Sequence, residues 1–474
     1  MLNYPVRHLL SKTLCILKLN FQPNYPIHLL QSLGLRHNTL NETFRDFMRI
    51  YLVGGAVRDK LLGYPIKDQD WVVVGGTTQQ MLSQGYQAVG ADFPVFLHPK
   101  TKEEYALARI ERKVAKGYTG FSCDASSEVS LEEDLCRRDL TINAMAMDDQ
   151  GNIIDPYNGQ QDLKDKLLRH VSSAFVEDPL RVLRVARFAA RYYSLGFRIA
   201  PETLALMHTI VTNDELAALS AERVWQETAR SLMENHPEVY FENLRACGAL
   251  AVWFPEIDIL WGIPNPARWH PEIDTGIHTM MVLQQSVKLS DKHANELTNK
   301  LTIKLTIKLR VRFAALVHDL GKGLTPPENW PSHRGHEKLG REAINTLCDR
   351  LKAPNECREL GLMVSEYHTH VHRAFELKAS SLLEMLNRCD VWRKPQRFAD
   401  FLLTCKADAR GRTTFENSQY TNAEYVWQAY EAAVKVDIKA IVAKGYQGKA
   451  IKEQIEQQRL SVIQAFKKAL EKSS

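Results

Sequence analysis

Residues 52–75 read LVGGAVRDKLLGYPIKDQDWVVVG. Two adjacent glycines and an arginine stand just ahead of Asp68 and Asp70, and a run of valines follows. Glycine pairs let backbone N–H groups come close to a phosphate. On a strand, residues at i and i+2 share a face, so the spacing predicts two carboxylates side by side at a strand end. Carboxylate oxygens together with substrate phosphates suit Mg²⁺. A pair of such ions clamps the attacking and leaving oxygens of an in-line displacement.

Around this stretch, RIYLV (49–53) and WVVV (71–74) read as buried strands, with a short helix between them ending at Gly63. Residues 93–98 and 104–110 read as a strand pair around a turn at His98–Lys102, and Glu104 on it offers a third carboxylate. The glycine- and serine-rich stretch 117–130 reads as a mobile loop. From 131 onward the pattern is mainly helical, giving an α+β front and a nearly all-α remainder. The repetitive LTNKLTIKLTIKLR at 297–310 alternates apolar and polar residues as a strand does, yet it abuts a helix and so reads alternatively as helical. It reads as a surface insertion from local duplication.

The bulk composition sets bounds on these readings. A chain of 474 residues exceeds one ordinary domain core. Its 45% hydrophobic and 25% charged content is that of a globular protein. The net charge of +5 permits an acidic partner without requiring one. Eight scattered cysteines form no CxxC pair, which argues against a zinc ribbon or disulfide framework and for a reducing compartment. No apolar run is long enough to cross a bilayer. Residues 1–47 carry five Arg and Lys and no acid before Glu42, weakly like a transit peptide. The plainer expectation is a start at Met48, where the first strand begins.

Two further stretches carry charge with a pattern. DLCRRDLTINAMA (134–146) brings Arg137 and Arg138, whose forked donors match phosphate oxygens. In it Asp139 either accepts from a ribose hydroxyl or, with Thr141, caps a helix. EDPLRVLRVARFAAR (177–191) begins a helix at Asp178-Pro179. Val182, Leu183, Ala186, Ala189 and Ala190 form its apolar stripe. Arg181, Arg184, Arg187 and Arg191 fall on the other side, which predicts a substrate rich in negative charge. Asp178 reads equally as a cap and as a base-reading group.

Together LVGGAVRDKLLG-x₄-DQD, the RRD triplet, DPYNGQQDL (155–163) and EDPLR resemble the class II CCA-adding tRNA nucleotidyltransferases, of the DNA polymerase β-like superfamily. The match runs from Met48 with the motifs in the family's order. The resemblance implies an α+β nucleotidyltransferase head with a polymerase β-like mixed sheet. It gives Gly55, Arg58, Asp68 and Asp70 to the metals and triphosphate, Arg138 to the nucleotide, and Asp139 to the ribose. Asp178 and Arg181 become the protein template for the base, with Arg184 and Arg187 also lining the nucleotide site. A carboxylate accepts from the exocyclic amine that cytosine and adenine share. Guanine and uracil would leave groups unpaired at a cost of ~1–3 kcal/mol each.

In the back half DTGIHTMM (274–281), LVHDLGKG (316–323), HRGHE (333–337), EYHTH (366–370) and KADARGR (406–412) set His and Asp in the order H…HD…H…H…D. Imidazole with carboxylate suits Mn, Ni, Co or Fe. This series resembles the HD phosphohydrolases. The resemblance makes His278, His318, Asp319 and Asp408 primary ligands, with His336 and His368 meeting a second ion or the substrate phosphate. CCA-adding enzymes with an HD domain are similar to the proteobacterial multifunctional type, associated with phosphatase, 2′-nucleotidase and 2′,3′-cyclic phosphodiesterase activities.

The expected organisation is a 1–47 extension, a 48–187 head, a 188–262 helical neck that binds tRNA, a 263–410 HD domain and a 411–474 helical tail. The expected reaction adds C, C and A to the tRNA 3′ end from CTP and ATP, releasing pyrophosphate. Mg²⁺ serves transfer, and Ni²⁺ or another transition metal serves the hydrolase. The expected setting is cytoplasmic, away from membranes, as a monomer or homodimer. The rivals are a poly(A) polymerase, a partial CC- or A-adding enzyme, and an HD signalling hydrolase with a nucleotide-sensing front half.

Overall fold

The computed structural model describes residues 48–66, 68–89, 95–113 and 121–471. The readings placed on residues 1–47 lie outside them. The chain divides into two units. The first holds the described residues up to Ile110, with 123–134 and 146–154; the second holds 111–122, 135–145 and everything from Asp155 on.

The first unit is built on a mixed seven-stranded sheet. Strand β1 (Arg49–Val53) pairs antiparallel with β2 (Asp70–Val74), and β2 pairs parallel with β5 (Glu104–Leu107). Beyond β5 come β4 (Val95–Leu97) and β3 (Gln87–Val89); beyond β1 come the short strands Ala146–Met147 and Ile153–Ile154. Val73, Met81, Phe96, Tyr105 and Leu107 form a buried cluster on the sheet, with Trp71 stacked on Tyr105 at 5.6 Å. The expected strands and the helix Gly55–Leu61 are present, and Gly63 follows that helix at φ 71°.

Two expectations change here. Phe121–Asp124, placed in the mobile loop, is a strand, while 114–120 lie outside the described residues. Asp68 precedes β2 rather than sharing it, so strand alternation does not set the two aspartates on one face.

The second unit is helical apart from short strand pairs. Thr275–Leu297 and Leu301–Val317 form a tight antiparallel pair. The LTIK repeat is thus helix, not strand: Ile307 is buried, while Leu301, Ile303 and Leu305 are exposed. The apolar contacts that hold this helix lie toward its C-terminus, at Val311, Phe313, Ala314 and Ala315. Buried Arg312 on it donates to the Leu232 and Glu234 carbonyls, to Ser290 Oγ and to Asp291. A large core runs from Ile307 and Val364 through Phe398 and Phe401 to Tyr425 and Ile463. The helices Thr421–Val434 and Lys449–Glu471 therefore contribute to the core of this unit instead of trailing from it.

Candidate functional site

In the first unit, β1 runs into Gly54, whose φ of 67° suits a residue without Cβ. The helix that follows carries Arg58, whose guanidinium lies 3.3 Å from where a Cβ on Gly55 would be. Arg58 is buried, with its Nε 2.9 Å from Asp59 Oδ1. Asp70 opens β2 opposite Val53 and stands in parallel register with Glu104 on β5. Asp68, Asp70 and Glu104 are all exposed. The sheet thus aligns two carboxylates and brings the glycine pair to the same strand end. Hard oxygen donors held in solvent suit Mg²⁺ with phosphate.

The second unit gathers the next set. Asp139 is buried; its Oδ2 accepts from Arg184 Nε at 2.8 Å, and its Oδ1 from Asn143 Nδ2 and the Leu140 N–H, both at 2.9 Å. Burial pushes this carboxyl up, but Arg184, the Asn143 hydrogen bond and Arg181 together outweigh it and hold it well below the usual range. Asp178 accepts from the Leu180 N–H at 3.1 Å, as a cap does, and its two oxygens also accept from Arg223 at 3.1 and 3.0 Å. Arg181 donates to the Ala174 and Arg137 carbonyls at 2.8 and 2.5 Å, tying the RRD segment to the helix Leu180–Tyr192. Arg187 is buried against Glu227 at 2.6 Å. Arg181, Arg184 and Arg187, read from sequence as facing a polyanion, thus each have a protein partner, because the helix is packed on more sides than its apolar stripe indicated. Arg138 lies half-buried in the same segment. The DPYNGQQDL stretch is local scaffolding. Asp155 accepts from the Gly159 and Gln160 N–H groups at 2.7 and 2.8 Å, and Asp162 from Thr141 Oγ1 at 2.7 Å.

The same unit holds a dense centre of histidine and aspartate. His278 comes from the helix Thr275–Leu297, His318 and Asp319 from the end of Leu301–Val317, and His336 from the start of His336–Leu351. His368 comes from Asn355–His372 and Asp408 from Pro395–Arg410. All six are buried. Gly321 lets the chain after Asp319 pass under the His336 carbonyl, which a Cβ there would meet at 1.9 Å.

The Nε2 atoms of the four histidines converge on the two carboxylates. His278 lies 3.2 Å from Asp408 Oδ1, and His318 lies 3.1 Å from Asp319 Oδ2. His336 and His368 lie 3.6 and 3.5 Å from Asp319 Oδ1. Ligand atoms group as His278, His318 and Asp408, and as Asp319, His336 and His368. Each ring turns its Nδ1 to a carbonyl: Gly411 at 3.0 Å, Ala315 at 2.8 Å, His333 at 2.9 Å and Val364 at 2.9 Å. A carbonyl only accepts, so each Nδ1 carries a proton and Nε2 is the nitrogen turned to the centre, the orientation that metal-ligating histidines use. His318 Nε2, His336 Nε2 and Asp319 Oδ1 are buried without a hydrogen bond of good geometry. Buried polar atoms left this way call for a partner. Burial opposes charge on Asp319 and Asp408, yet the Lys322 ammonium beside Asp319 and the His372 ring beside Asp408 keep both carboxyls well below the usual range. Two buried carboxylates and four imidazoles that turn Nε2 to one centre fit one or two transition-metal ions.

Sequence reasoning missed several groups here. Lys322 Nζ is 2.7 Å from Asp319 and donates to Asn265. His372 Nε2 is 2.6 Å from Asp408 Oδ2, and Tyr420 contacts the other ring nitrogen at 2.8 Å. In the Asp139–Asp178 cluster, Arg223 and Glu227 were missed. His372 lies one helical turn beyond His368, so the i, i+4 spacing could have found it. Arg223 and Glu227 have no such signal.

A bound ion at the histidine–aspartate centre would polarise a phosphoryl oxygen and lower the pKa of bound water. The chain's own part is to fix four imidazole tautomers, hold Asp319 with Lys322 and Asp408 with His372, and exclude bulk water.

A head sheet presenting carboxylates beside a glycine pair, with a helical unit carrying a histidine–aspartate centre, defines a nucleotidyltransferase joined to an HD-type metallohydrolase domain. Family models agree: a poly A polymerase head domain matches residues 50–169, a probable RNA and SrmB-binding site of polymerase A matches 196–260, and an HD domain matches 275–391. The multifunctional CCA protein of Pseudoalteromonas atlantica is 65% identical over 416 residues, 88% of this chain and 99% of that protein. The Vibrio vulnificus multifunctional CCA protein is 56% identical over 418 residues, 88% of this chain and 99% of that one. The chain belongs to this family, CCA-adding nucleotidyltransferases that carry an HD domain. An apo CCA-adding enzyme structure shares the fold at TM-score 0.59 and 20% identity, covering 94% of this chain and 96% of that one. The Thermotoga maritima CCA-adding enzyme complexed with tRNA does so at 0.57 and 19%, covering 95% and 100%.

Proposed function

We propose that this enzyme builds and repairs the 3′-terminal CCA of tRNA from CTP and ATP, releasing pyrophosphate. The observation that carries this is the 65% identity to a multifunctional CCA protein along 99% of that protein's length, with Asp68, Asp70 and the RRD and EDPLR stretches all present. In this reading Asp68 and Asp70 hold Mg²⁺, Gly55 and Arg58 take the triphosphate, and Arg138 and Asp139 take the nucleotide and ribose. Asp178 and Arg181 read the base, with Arg184 holding Asp139 in place. Arg187, buried on Glu227, acts through the packing of the same helix.

The reading gives 48–187 to transfer, 188–262 to tRNA and 263–410 to the hydrolase. It sets the enzyme in the cytoplasm. The HD centre removes phosphate from damaged or cyclised 3′ ends, as a phosphatase, 2′-nucleotidase and 2′,3′-cyclic phosphodiesterase, with Ni²⁺, Co²⁺ or Mn²⁺. No described helix is long and apolar enough to cross a membrane.

The test supplies tRNA lacking CCA with each nucleoside triphosphate, alone and in pairs. The expected result is two C residues from CTP, and A only after them. Long A runs from ATP alone would indicate a poly(A) polymerase, and a stop after CC or a need for preformed CC would indicate a partial enzyme. Metal-stimulated hydrolysis without any incorporation would leave only the signalling-hydrolase reading.

A further inference from the structure

Glu272 lies outside the residues matched by the HD family model and in none of the motifs quoted above. It nevertheless reaches the histidine–aspartate centre. Its side chain is 2% exposed, and its Oε1 lies 2.9 Å from His270 Nδ1 and 3.0 Å from His278 Nδ1. Its other oxygen accepts from the Thr413 N–H at 3.3 Å. His278 Nδ1 is therefore flanked by two acceptors, this carboxylate and the Gly411 carbonyl. Nδ1 therefore carries a proton, and Nε2 faces Asp408 at 3.2 Å and Asp319 at 4.0 Å.

The loop that delivers Glu272 is held at both ends. Ile273 sits at φ 62°, a conformation that a β-branched residue adopts only under constraint. Its N–H donates to the His270 carbonyl at 2.9 Å, and its carbonyl accepts from the Asn265 N–H at 2.6 Å. Asp274 caps the next helix through the Ile277 N–H at 2.9 Å and also accepts from the Gly262 N–H at 2.6 Å. The His270 ring stands edge-on to the His278 ring, with centroids 4.5 Å apart. Backbone strain, a cap and a cross-loop pair thus all serve to turn one carboxylate inward.

We infer that Glu272 is a positioning residue, which holds His278 in the tautomer and orientation that offer Nε2 to a cation at the centre. This rests on the metal-centre reading above. His270, Glu272 and His278 also lie close enough to ligate an ion themselves. That would make His278 bind through Nδ1, the nitrogen that two acceptors already surround.

The test uses the full chain, stripped of metal, as wild type, Glu272→Gln, Glu272→Asp and His270→Gln. Titration calorimetry with Mn²⁺, Co²⁺ and Ni²⁺ gives affinity and stoichiometry, and Co²⁺ visible absorption reports ligand geometry. Glu272→Gln should weaken binding by about 10–100-fold and shift the Co²⁺ bands. Glu272→Asp should recover part of both, and His270→Gln should fall between wild type and Glu272→Gln. CTP incorporation and the metal-free melting temperature of Glu272→Asp should stay as in wild type. Unchanged affinity and bands in Glu272→Gln would make Glu272 a loop anchor and overturn the inference. So would loss of one whole equivalent with the rest unchanged, which would place an ion on the trio itself. If wild type binds no transition metal, the metal-centre reading fails first and the role of Glu272 with it.

Discussion

Asp70 and Asp139 show the same side chain in opposite settings. Asp70 is exposed at a strand end, in register with Glu104, where the function proposed above gives it to a metal ion. Substituting Asp68 or Asp70 by Ala should cut CTP incorporation by at least about 10²–10³-fold, the size of losing one preorganised electrostatic contact. Folding and transition-metal binding at the other centre should survive, which calorimetry on the same preparation checks; near-normal incorporation would refute the metal role. Asp139 is buried and already satisfied by Arg184, Asn143 and the Leu140 N–H. Its folded pKa is depressed, so its contribution to stability is complete above the ordinary carboxylate value of about 3.9 and is lost as pH falls through the folded one. Asp139→Asn should therefore lower the melting temperature at pH 7, and the gap to wild type should narrow in acid. The cost should lie toward the lower end of the ~3–5 kcal/mol for breaking a buried pair, because the Arg184 side chain is 34% exposed. A pH-independent gap would show that shape, not charge, is what Asn fails to supply.

Among the elements, the helix Leu180–Tyr192 carries a second buried pair, Arg187–Glu227, that joins it to Ala221–Leu232. Arg187→Ala should destabilise toward the lower end of about 3–5 kcal/mol, since it leaves buried Glu227 with only the exposed Arg230 at 3.6 Å to pair with. Arg187→Met with Glu227→Leu should recover most of that. Retained triphosphate affinity in the double variant would confirm that Arg187 acts through packing, and loss of affinity in a folded double variant would return it to the nucleotide. The helix Leu301–Val317 offers a contrast within one sequence repeat. Leu301→Ser and Leu305→Ser fall on exposed positions and should stay within about 0.5 kcal/mol of wild type. Ile307→Ala empties a buried position in the large core and should cost ~2–5 kcal/mol. Denaturant melts of the three variants check this, and equal costs would restore the alternating strand-like reading.

On the scale of the whole molecule, the carboxylate-rich head and the imidazole-rich centre lie in different units, and oxygen donors and imidazoles suit different classes of cation. His318→Ala should abolish metal-stimulated hydrolysis of a 2′,3′-cyclic phosphate while CTP and ATP incorporation with Mg²⁺ continues. Loss of both activities in a folded variant would show that the two halves share a metal or are tightly coupled.

Much of this was written locally in the chain. The glycine pair, the DQD triplet with its valines, the HD dipeptide and the histidine spacings each depend on neighbours within a few residues. Backbone periodicity and side-chain chemistry act over that range, so the strands around Asp70 and the six residues that the fold gathers into the histidine–aspartate centre were legible. Partnerships between distant residues were not. Arg223 reaches Asp178 from 45 residues away, and His278 meets Gly411 across 133. The LTIK repeat has a strand's alternation, yet it is a helix, because its C-terminal half is packed into a core that no local pattern describes. Four arginines on one helix looked like a surface for a polyanion, yet Arg181, Arg184 and Arg187 have hydrogen-bond partners within the protein and Arg191 packs over Tyr192. Local chemistry therefore determined which residues can react, and tertiary packing decided which charged groups are gathered in the interior, which are held by the protein and which face outward.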